Sequence, residues 1–353
     1  MPRSKPKTPQ LKVEPIRSVR ALDERLSTPS AQLVEFMKRL KGDLLILGVG
    51  GKVGPTLAQL AVRAIEAAGA KKNVIGVDFF PDKAVRKRLA GLGVECVQAD
   101  LMAVNAFDNL PDAPNVIYMI GRKFGSTGAE WGTWMTNVQL AGLAARRYAK
   151  SRVVMFSSGN IYPFLPLASG GATEATPTNP IGEYAMSCLG RERMFDYWAN
   201  EAGAKVLQFR LNYAVELRYG IILDVATKVM RGTPVDVTMG HVNVVWQGYA
   251  SSVALQSLEL AASPPRILNV TGPEIVSIRW MAERFGELLG KKPKIVGEEA
   301  PNALLSNAAQ CFKLFGYPQV SVDTVIEWVA HWMMSSGKTL GKPTHYETRD
   351  GKF

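Results

Sequence analysis

Chemistry in this chain starts at a glycine-rich turn. Gly48-Val49-Gly50-Gly51-Lys52-Val53-Gly54 follows the apolar run Leu44-Leu45-Ile46-Leu47 and opens a helical pattern at Pro55. Strand, glycine triplet (Gly48, Gly51, Gly54) and helix, in that order, are what a dinucleotide pyrophosphate requires. One glycine makes the tight turn, one lets phosphate approach the backbone, and one lets helix pack on strand. The helix start then offers unpaired N–H groups and positive potential to the anion. Gly50, Lys52 and Val53 belong to the same cofactor-side stretch. Asp78 ends the next apolar run, 24 residues beyond Gly54. A carboxylate there accepts from the ribose hydroxyls of NAD and repels a 2′-phosphate, so NAD is expected before NADP. Lys83 and Arg86, shortly after, would pull the other way. Asp100-Leu101 closes a third apolar run and suits the adenine edge.

Such residues need a rigid frame, and the hydrophobic pattern supplies one. A helix is expected over about 21–41, with Thr28-Pro29-Ser30 as a start signal and Gly42 as its end. Strands are expected at 44–47, 74–78, 94–97, 116–120, 153–157 and 206–210. Helices at 55–67, 84–92, 134–150 and 184–202 alternate with them. Uniformly apolar strands between helices imply an α/β fold: a doubly wound parallel sheet of Rossmann type, covered on both faces. Beyond residue 213 the pattern loosens into short helices, about 222–231 and 278–289, among Gly- and Pro-rich loops. This reads as a smaller C-terminal substrate-binding lobe over the carboxyl ends of the strands, where ligands of open α/β sheets bind. The expected regions are 1–42 (basic tail and N-terminal helix), 43–213 (dinucleotide-binding domain) and 214–353 (mostly lobe, with parts returning to the sheet).

Composition narrows the class. The 353 residues carry a net charge of +11, of which +5 comes from residues 1–20 (Arg3, Lys5, Lys7, Lys12, Arg17 and Arg20 against Glu14). The remaining +6 fits a ligand with phosphates, and the Pro-rich tail reads as a solvated segment rather than a nucleic-acid arm. No apolar run approaches the roughly 20 residues needed to span a bilayer, and the basic N-terminus lacks the apolar stretch expected of a secretory signal. Cys96, Cys188 and Cys311 give neither a disulfide framework nor a metal spacing, and His241, His331 and His345 add none. A cytoplasmic protein without a metal is the expectation.

Taken together, the motifs resemble the extended short-chain dehydrogenase/reductase family, the NAD-dependent epimerase/dehydratase group, from about Leu44 to Trp332. The matching residues, in order, are the glycine triplet, Asp100-Leu101, Asn137 on the fourth helix, Ser157-Ser158-Gly159-Asn160-Ile161-Tyr162-Pro163, Pro180 followed by Tyr184, and Arg210 with Asn212. The resemblance implies that Tyr184 is the general acid/base and Ser158 orients the reacting oxygen. It puts Ile120, Gly121, Lys123 and Asn137 on the cofactor side and Asn160 and Asn212 on the substrate side. Arg218 and Gln247 are candidates for substrate contact from the lobe. A phenol and a hydroxyl suit the reaction, because a proton must move on oxygen while hydride moves on carbon.

One position departs from the pattern. Where the family has a lysine four residues after its tyrosine, this chain has Cys188, which supplies no charge. With an ordinary pKa near 10, the tyrosine anion costs roughly 4 kcal/mol at pH 7 unless something helps. The cation could come from oxidised nicotinamide, or from Lys123 or Arg122 after the fourth strand. Arg191, two helical turns on, reads as too distant for direct contact. Alternatively, Tyr184 is a structural donor and redox chemistry is gone. Cys188 itself reads as a packing residue. Two functions therefore stand: an NAD(P)-dependent oxidoreductase, epimerase or dehydratase for a sugar, nucleotide sugar or polyol, or a catalytically impaired NAD(P)-binding sensor or interaction protein. The resemblance also implies a homodimer through about 134–150 and 184–202. The polar, aperiodic run from Gly341 to Phe353 suits either a frayed tail or docking on the lobe or a partner subunit.

Overall fold

The computed structural model describes residues 13–123 and 125–352. Arg3, Lys5, Lys7 and Lys12 of the basic tail lie outside the described residues. Seven strands form one parallel sheet: β1 (Leu44–Leu47), β2 (Val74–Asp78), β3 (Val94–Gln98), β4 (Asn115–Tyr118), β5 (Arg152–Ser158), β6 (Lys205–Leu211) and β7 (Arg266–Val270). Their order is β7-β6-β5-β4-β1-β2-β3, which reverses direction between β1 and β4. The crevice at that reversal lies outside the carboxyl ends of the strands.

The central strand shows why its residues are all apolar. Leu45 sits opposite Ile75 of β2 and Val116 of β4. Side chains alternate across a strand, and here both faces are roofed by helices. The helices are α1 (Val19–Leu26), α2 (Ala31–Arg39), α3 (Gly54–Ala67), α4 (Lys83–Gly91), α5 (Glu130–Trp134), α6 (Leu140–Arg147), α7 (Gly182–Ala202), α8 (Ile221–Arg231), α9 (Gln247–Gln256), α10 (Ile278–Leu289), α11 (Ala309–Phe315) and α12 (Val322–Met334). Leu44 and Ile46 join Leu57 and Ala61 of α3 and Ala254 of α9. Leu45 and Leu47 join Leu140 and Ala144 of α6 and Phe195 of α7. A third core, with Val225 of α8, Met281 of α10 and Val329 of α12, forms the lobe and takes in Leu22 and Leu26 from α1.

Two expected helices are corrected. The stretch 21–41 is two helices, not one. Pro29 disfavours helical backbone at Thr28, and Ser30 caps the second helix, with its hydroxyl accepting the Leu33 N–H at 3.2 Å. The stretch 134–150 starts earlier, at Glu130, widens into a π turn over Met135–Gln139, and ends at Arg147. Such turns interrupt a helix where a buried side chain must be aimed, and the residue aimed here is Asn137. β7, an edge strand from the C-terminal third, completes the sheet beyond the six strands visible in the sequence.

Candidate functional site

The glycine loop leaves β1 at the crevice. Gly48 has φ +82°, a left-handed backbone that favours glycine, and its N–H donates to the Val77 carbonyl at 2.9 Å. A side chain on Gly54 would collide with the Val49 carbonyl, which is where α3 packs onto the loop. Around Gly51, by contrast, a Cβ would meet only the Gly48 carbonyl oxygen, at 3.4 Å. The backbone is therefore open to an approaching group at that glycine. α3 has no side-chain cap, so its first N–H groups are available to an anion. These features fit the pyrophosphate of a dinucleotide. Asp78, at the end of β2, turns its carboxylate to the loop. It accepts from the Gly50 N–H at 3.0 Å and from the Phe80 N–H at 3.0 Å. Asp100 accepts from the Met102 N–H in the turn after β3, with Leu101 beside it.

Lys52 rises from the loop to the lobe, with its Nζ 3.5 Å from the Tyr219 ring centroid. Burial, reinforced by the charges of Lys342 and Lys123, lowers its pKa to about 7, and Asp224 opposes that shift. The positive charges of Lys342 and Lys123 thus bear on Lys52 at the loop, and an anionic ligand there would relieve that repulsion.

Tyr184 lies in the first turn of α7. Its ring packs with Ile161, Tyr162 and Cys188. The Ser158 hydroxyl and the Cys188 thiol both lie close enough to its hydroxyl to bear on its titration. Burial raises the phenol well above its usual range, and Cys188 adds to this, while the charge of Arg191 and the Ser158 hydrogen bond oppose it. The Cys188 thiol is fully buried and raised by that burial. Ser158 ends β5, where its hydroxyl accepts the Asn160 N–H at 3.1 Å and lies 3.2 Å from Asn160 Oδ1.

A cation stands beside this tyrosine, but it comes from another element. Lys123, after β4, places its Nζ 5.7 Å from the Tyr184 ring centroid and donates to the Thr344 carbonyl at 3.2 Å. Burial lowers its pKa to about 8, opposed by the neighbouring Cys188 and Asp224. The route to that position is built from Asn137. Its Oδ1 accepts from the Arg122 N–H at 2.7 Å, and its Nδ2 donates to the Arg122 carbonyl at 2.9 Å and to the Ser187 hydroxyl at 2.8 Å. The backbone just before Lys123 is therefore pinned on both sides. Arg122 itself turns away and donates to the Gly125 carbonyl at 2.8 Å. Arg191 lies beneath, its guanidinium donating to Asn137 Oδ1 at 2.7 Å and the Phe156 carbonyl at 2.8 Å, with Gly121 against it. Asn137 thus spends its amide on protein groups, and Ile120 is packed in the core beneath the loop.

The other expected residues are spread more widely. Asn212 is buried and donates to Asn243 Oδ1 at 3.1 Å. Arg210 forms a buried pair with Glu192 at 2.7 Å and donates to the Tyr162 hydroxyl, bracing β6 against α7. Arg218 pairs with Asp23 at 3.0 Å and Glu216 at 2.9 Å. Gln247 is buried and donates to Thr56 Oγ1 at 3.0 Å, joining α9 to α3. Asp224, Lys342 and Thr344 meet at the site without having been singled out in the sequence. The only signal there was the aromatic and charged character of the C-terminal run.

Among the described residues, no helix is long and apolar enough to cross a membrane, and no cluster of three metal-ligating side chains occurs. Residues 44–216 match the model of the NAD dependent epimerase/dehydratase family. No curated protein matches the sequence. Solved structures share the fold. The UDP-glucuronic acid 4-epimerase from Bacillus cereus, solved with NAD, superposes with TM-score 0.70 at 15% identity, over 84% of this chain and 100% of that one. The UDP-glucose 4-epimerase from Thermotoga maritima, solved with UDP-glucose, gives TM-score 0.66 at 14% identity over 83% and 99%. MoeE5, solved with UDP-glucose and NAD, gives 0.64 at 20% over 84% and 99%.

Proposed function

We propose that this chain, whose residues 44–216 match the NAD dependent epimerase/dehydratase family, is an NAD-dependent epimerase, dehydratase or dehydrogenase of a nucleotide sugar. The observation that carries the reading is Lys123 Nζ, 5.7 Å from the Tyr184 ring centroid, with Tyr184 in turn in contact with Ser158. The charge that Cys188 cannot supply is present at the tyrosine from a different strand end. Solved relatives with UDP-sugars and NAD support the substrate class.

The loop at Gly48–Gly54 and the first turn of α3 hold the pyrophosphate, and Asp78 takes the adenosine ribose, favouring NAD over NADP. Asp100 and Leu101 border the adenine. Bound NAD supplies the hydride acceptor. Ser158, steadied by Asn160, holds the reacting substrate oxygen against the Tyr184 hydroxyl. Tyr184 takes the proton from that oxygen as its carbon is oxidised and returns it on reduction. Ammonium at Lys123 favours the phenolate during that exchange. Asn137 acts one step back, as the group that sets the Lys123 backbone. Asn212, Arg218 and Gln247 carry no direct substrate contact in this reading. Pairing of two copies across α5, α6 and α7 is part of the same proposal; Trp131 of α5 is 74% exposed and Tyr197 of α7 is 55% exposed.

A second reading, NAD binding without turnover, is favoured by one feature: the buried Tyr184 phenol is strongly held in its neutral form. The test is to incubate the purified protein with NAD and a panel of UDP- and other nucleotide sugars, following sugar products by NMR. Conversion that disappears in Tyr184→Phe and falls by about a hundredfold in Lys123→Met supports the enzyme. Tight NAD binding, with every sugar unchanged and unbound, supports the second reading.

A further inference from the structure

The C-terminal stretch from Leu340 to Gly351 has no helical or strand periodicity, yet it is anchored at several points along its length. Leu340 N–H donates to the Arg218 carbonyl at 2.9 Å. Thr344 is 2% exposed, and its N–H and hydroxyl both donate to Asp224 Oδ2, at 2.7 and 2.6 Å. Tyr346 is buried, its hydroxyl donating to the Asp236 carbonyl at 3.3 Å, and Glu347 pairs with Lys228 at 3.1 Å. Arg349 donates to the Asn302 carbonyl at 3.0 Å and lies 4.3 Å over the Phe164 ring. Gly351 is pressed against the backbone of Ile181 and Gly182, at the start of the helix that carries Tyr184. His345 adopts φ +53°, a left-handed conformation unfavourable for a non-glycine residue, so the anchors on either side hold the chain against its own preference.

One residue of this strap touches both halves of the molecule. Thr344 faces Asp224 on α8 with its donors and Lys123 of the sheet domain with its carbonyl, at 3.2 Å. A lysine side chain has four rotatable bonds, and ordering it costs free energy unless an acceptor holds the head group. We propose that the strap is a working part of the catalytic site: Asp224 and Thr344 are positioning residues that fix Lys123 beside Tyr184. The inference rests on the assignment of Lys123 under Proposed function, and it extends the site to a segment outside the matched residues 44–216.

Among the described residues, the charged and titratable groups acting on Lys123 include Tyr184 and Cys188 on α7, Asp224 on α8, and Lys52 on the glycine loop. Its lowered pKa of about 8 arises first from burial. Release of the strap hydrates the ammonium, and its titration moves toward the ordinary lysine value near 10.4.

The experiment titrates Lys123 in the full chain after reductive 13C-methylation of lysines, with the Lys123 signal assigned by its absence in Lys123→Arg. Two variants loosen the strap without changing net charge at pH 8. Thr344→Pro removes the N–H and hydroxyl that bind Asp224. A chain ended after Lys342 loses Glu347 and Asp350 together with Arg349 and Lys352. NAD affinity, measured by calorimetry, reports that each variant is folded. The expected result is a Lys123 midpoint near 8 in the full chain, moving toward 10.4 in either folded variant. A midpoint that stays near 8 in Thr344→Pro overturns the inference, even if the shortened chain fails to fold. The two readings fail separately. An unmoved midpoint with turnover still dependent on Lys123 removes the strap alone. A moved midpoint with turnover indifferent to Lys123→Met leaves the strap and removes the catalytic assignment.

Discussion

Lys123 and Tyr184 define a charge balance that pH can test. In the proposed mechanism the protonated lysine favours phenolate at Tyr184, and its pKa is lowered to about 8. Below pH 8 the ammonium is present; above it the charge is lost. Because kcat/KM reports the free enzyme, it is expected to fall as pH rises through about 8. Lys123→Arg keeps its charge at every accessible pH, so the same profile is expected to lose that alkaline limb. A limb unchanged in Lys123→Arg assigns it to another group. Position 188 is itself a poor place for a cation. The slot four residues after Tyr184 lies in a buried pocket with Ile161 and Tyr162, already under the influence of Arg191, and a second buried ammonium there would be costly.

Among the elements, the glycine loop separates holding the fold from holding the ligand. Gly54 serves the packing of α3 on Val49, whereas Gly51 opens onto space. Gly51→Ala is therefore expected to leave the melting temperature of the ligand-free protein within about 2 °C of wild type while weakening NAD binding by roughly a hundredfold, since in the proposed reading the methyl would stand where phosphate meets backbone. Calorimetry with NAD and a thermal melt decide it. Equal loss in both would make Gly51 a packing glycine and move the pyrophosphate elsewhere. The π turn of Met135–Gln139 is an element of the other kind, tuned for one side chain. It aims Asn137 into the protein, where it joins Arg122, Ser187 and Arg191. Periodicity alone predicts a regular helix there, because the extra residue in the turn leaves the surrounding apolar spacing readable.

At the scale of the whole molecule, α1 ties sheet domain to lobe through Asp23, which pairs with Arg88 of α4 at 2.6 Å and Arg218 of the lobe at 3.0 Å. Asp23 and Arg218 are largely shielded from water, so removing the carboxylate leaves a poorly hydrated guanidinium. Asp23→Ala is expected to cost about 1–3 kcal/mol in urea unfolding while NAD affinity stays within about twofold. A variant as stable as wild type would show the bridge contributes nothing net. Much of the architecture was legible from residue order. Six strands, the helices between them and the glycine loop follow from local rules of side-chain period and backbone conformation, which act within a few residues. The resemblance around Ser158 and Tyr184 was also read from the sequence, with Cys188 as its departure. What sequence left open was which group faces Tyr184, because Lys123 and Arg122 are adjacent and alike in charge. Only the tertiary structure decided between them: Asn137, Arg191 and Thr344 act from distant points of the chain, and their contacts turn Lys123 toward Tyr184 while Arg122 turns to Gly125. The strap was illegible for the same reason. Its order comes from long-range partners such as Asp224 and Asp236, and no periodicity records contacts that lie 120 and 110 residues away.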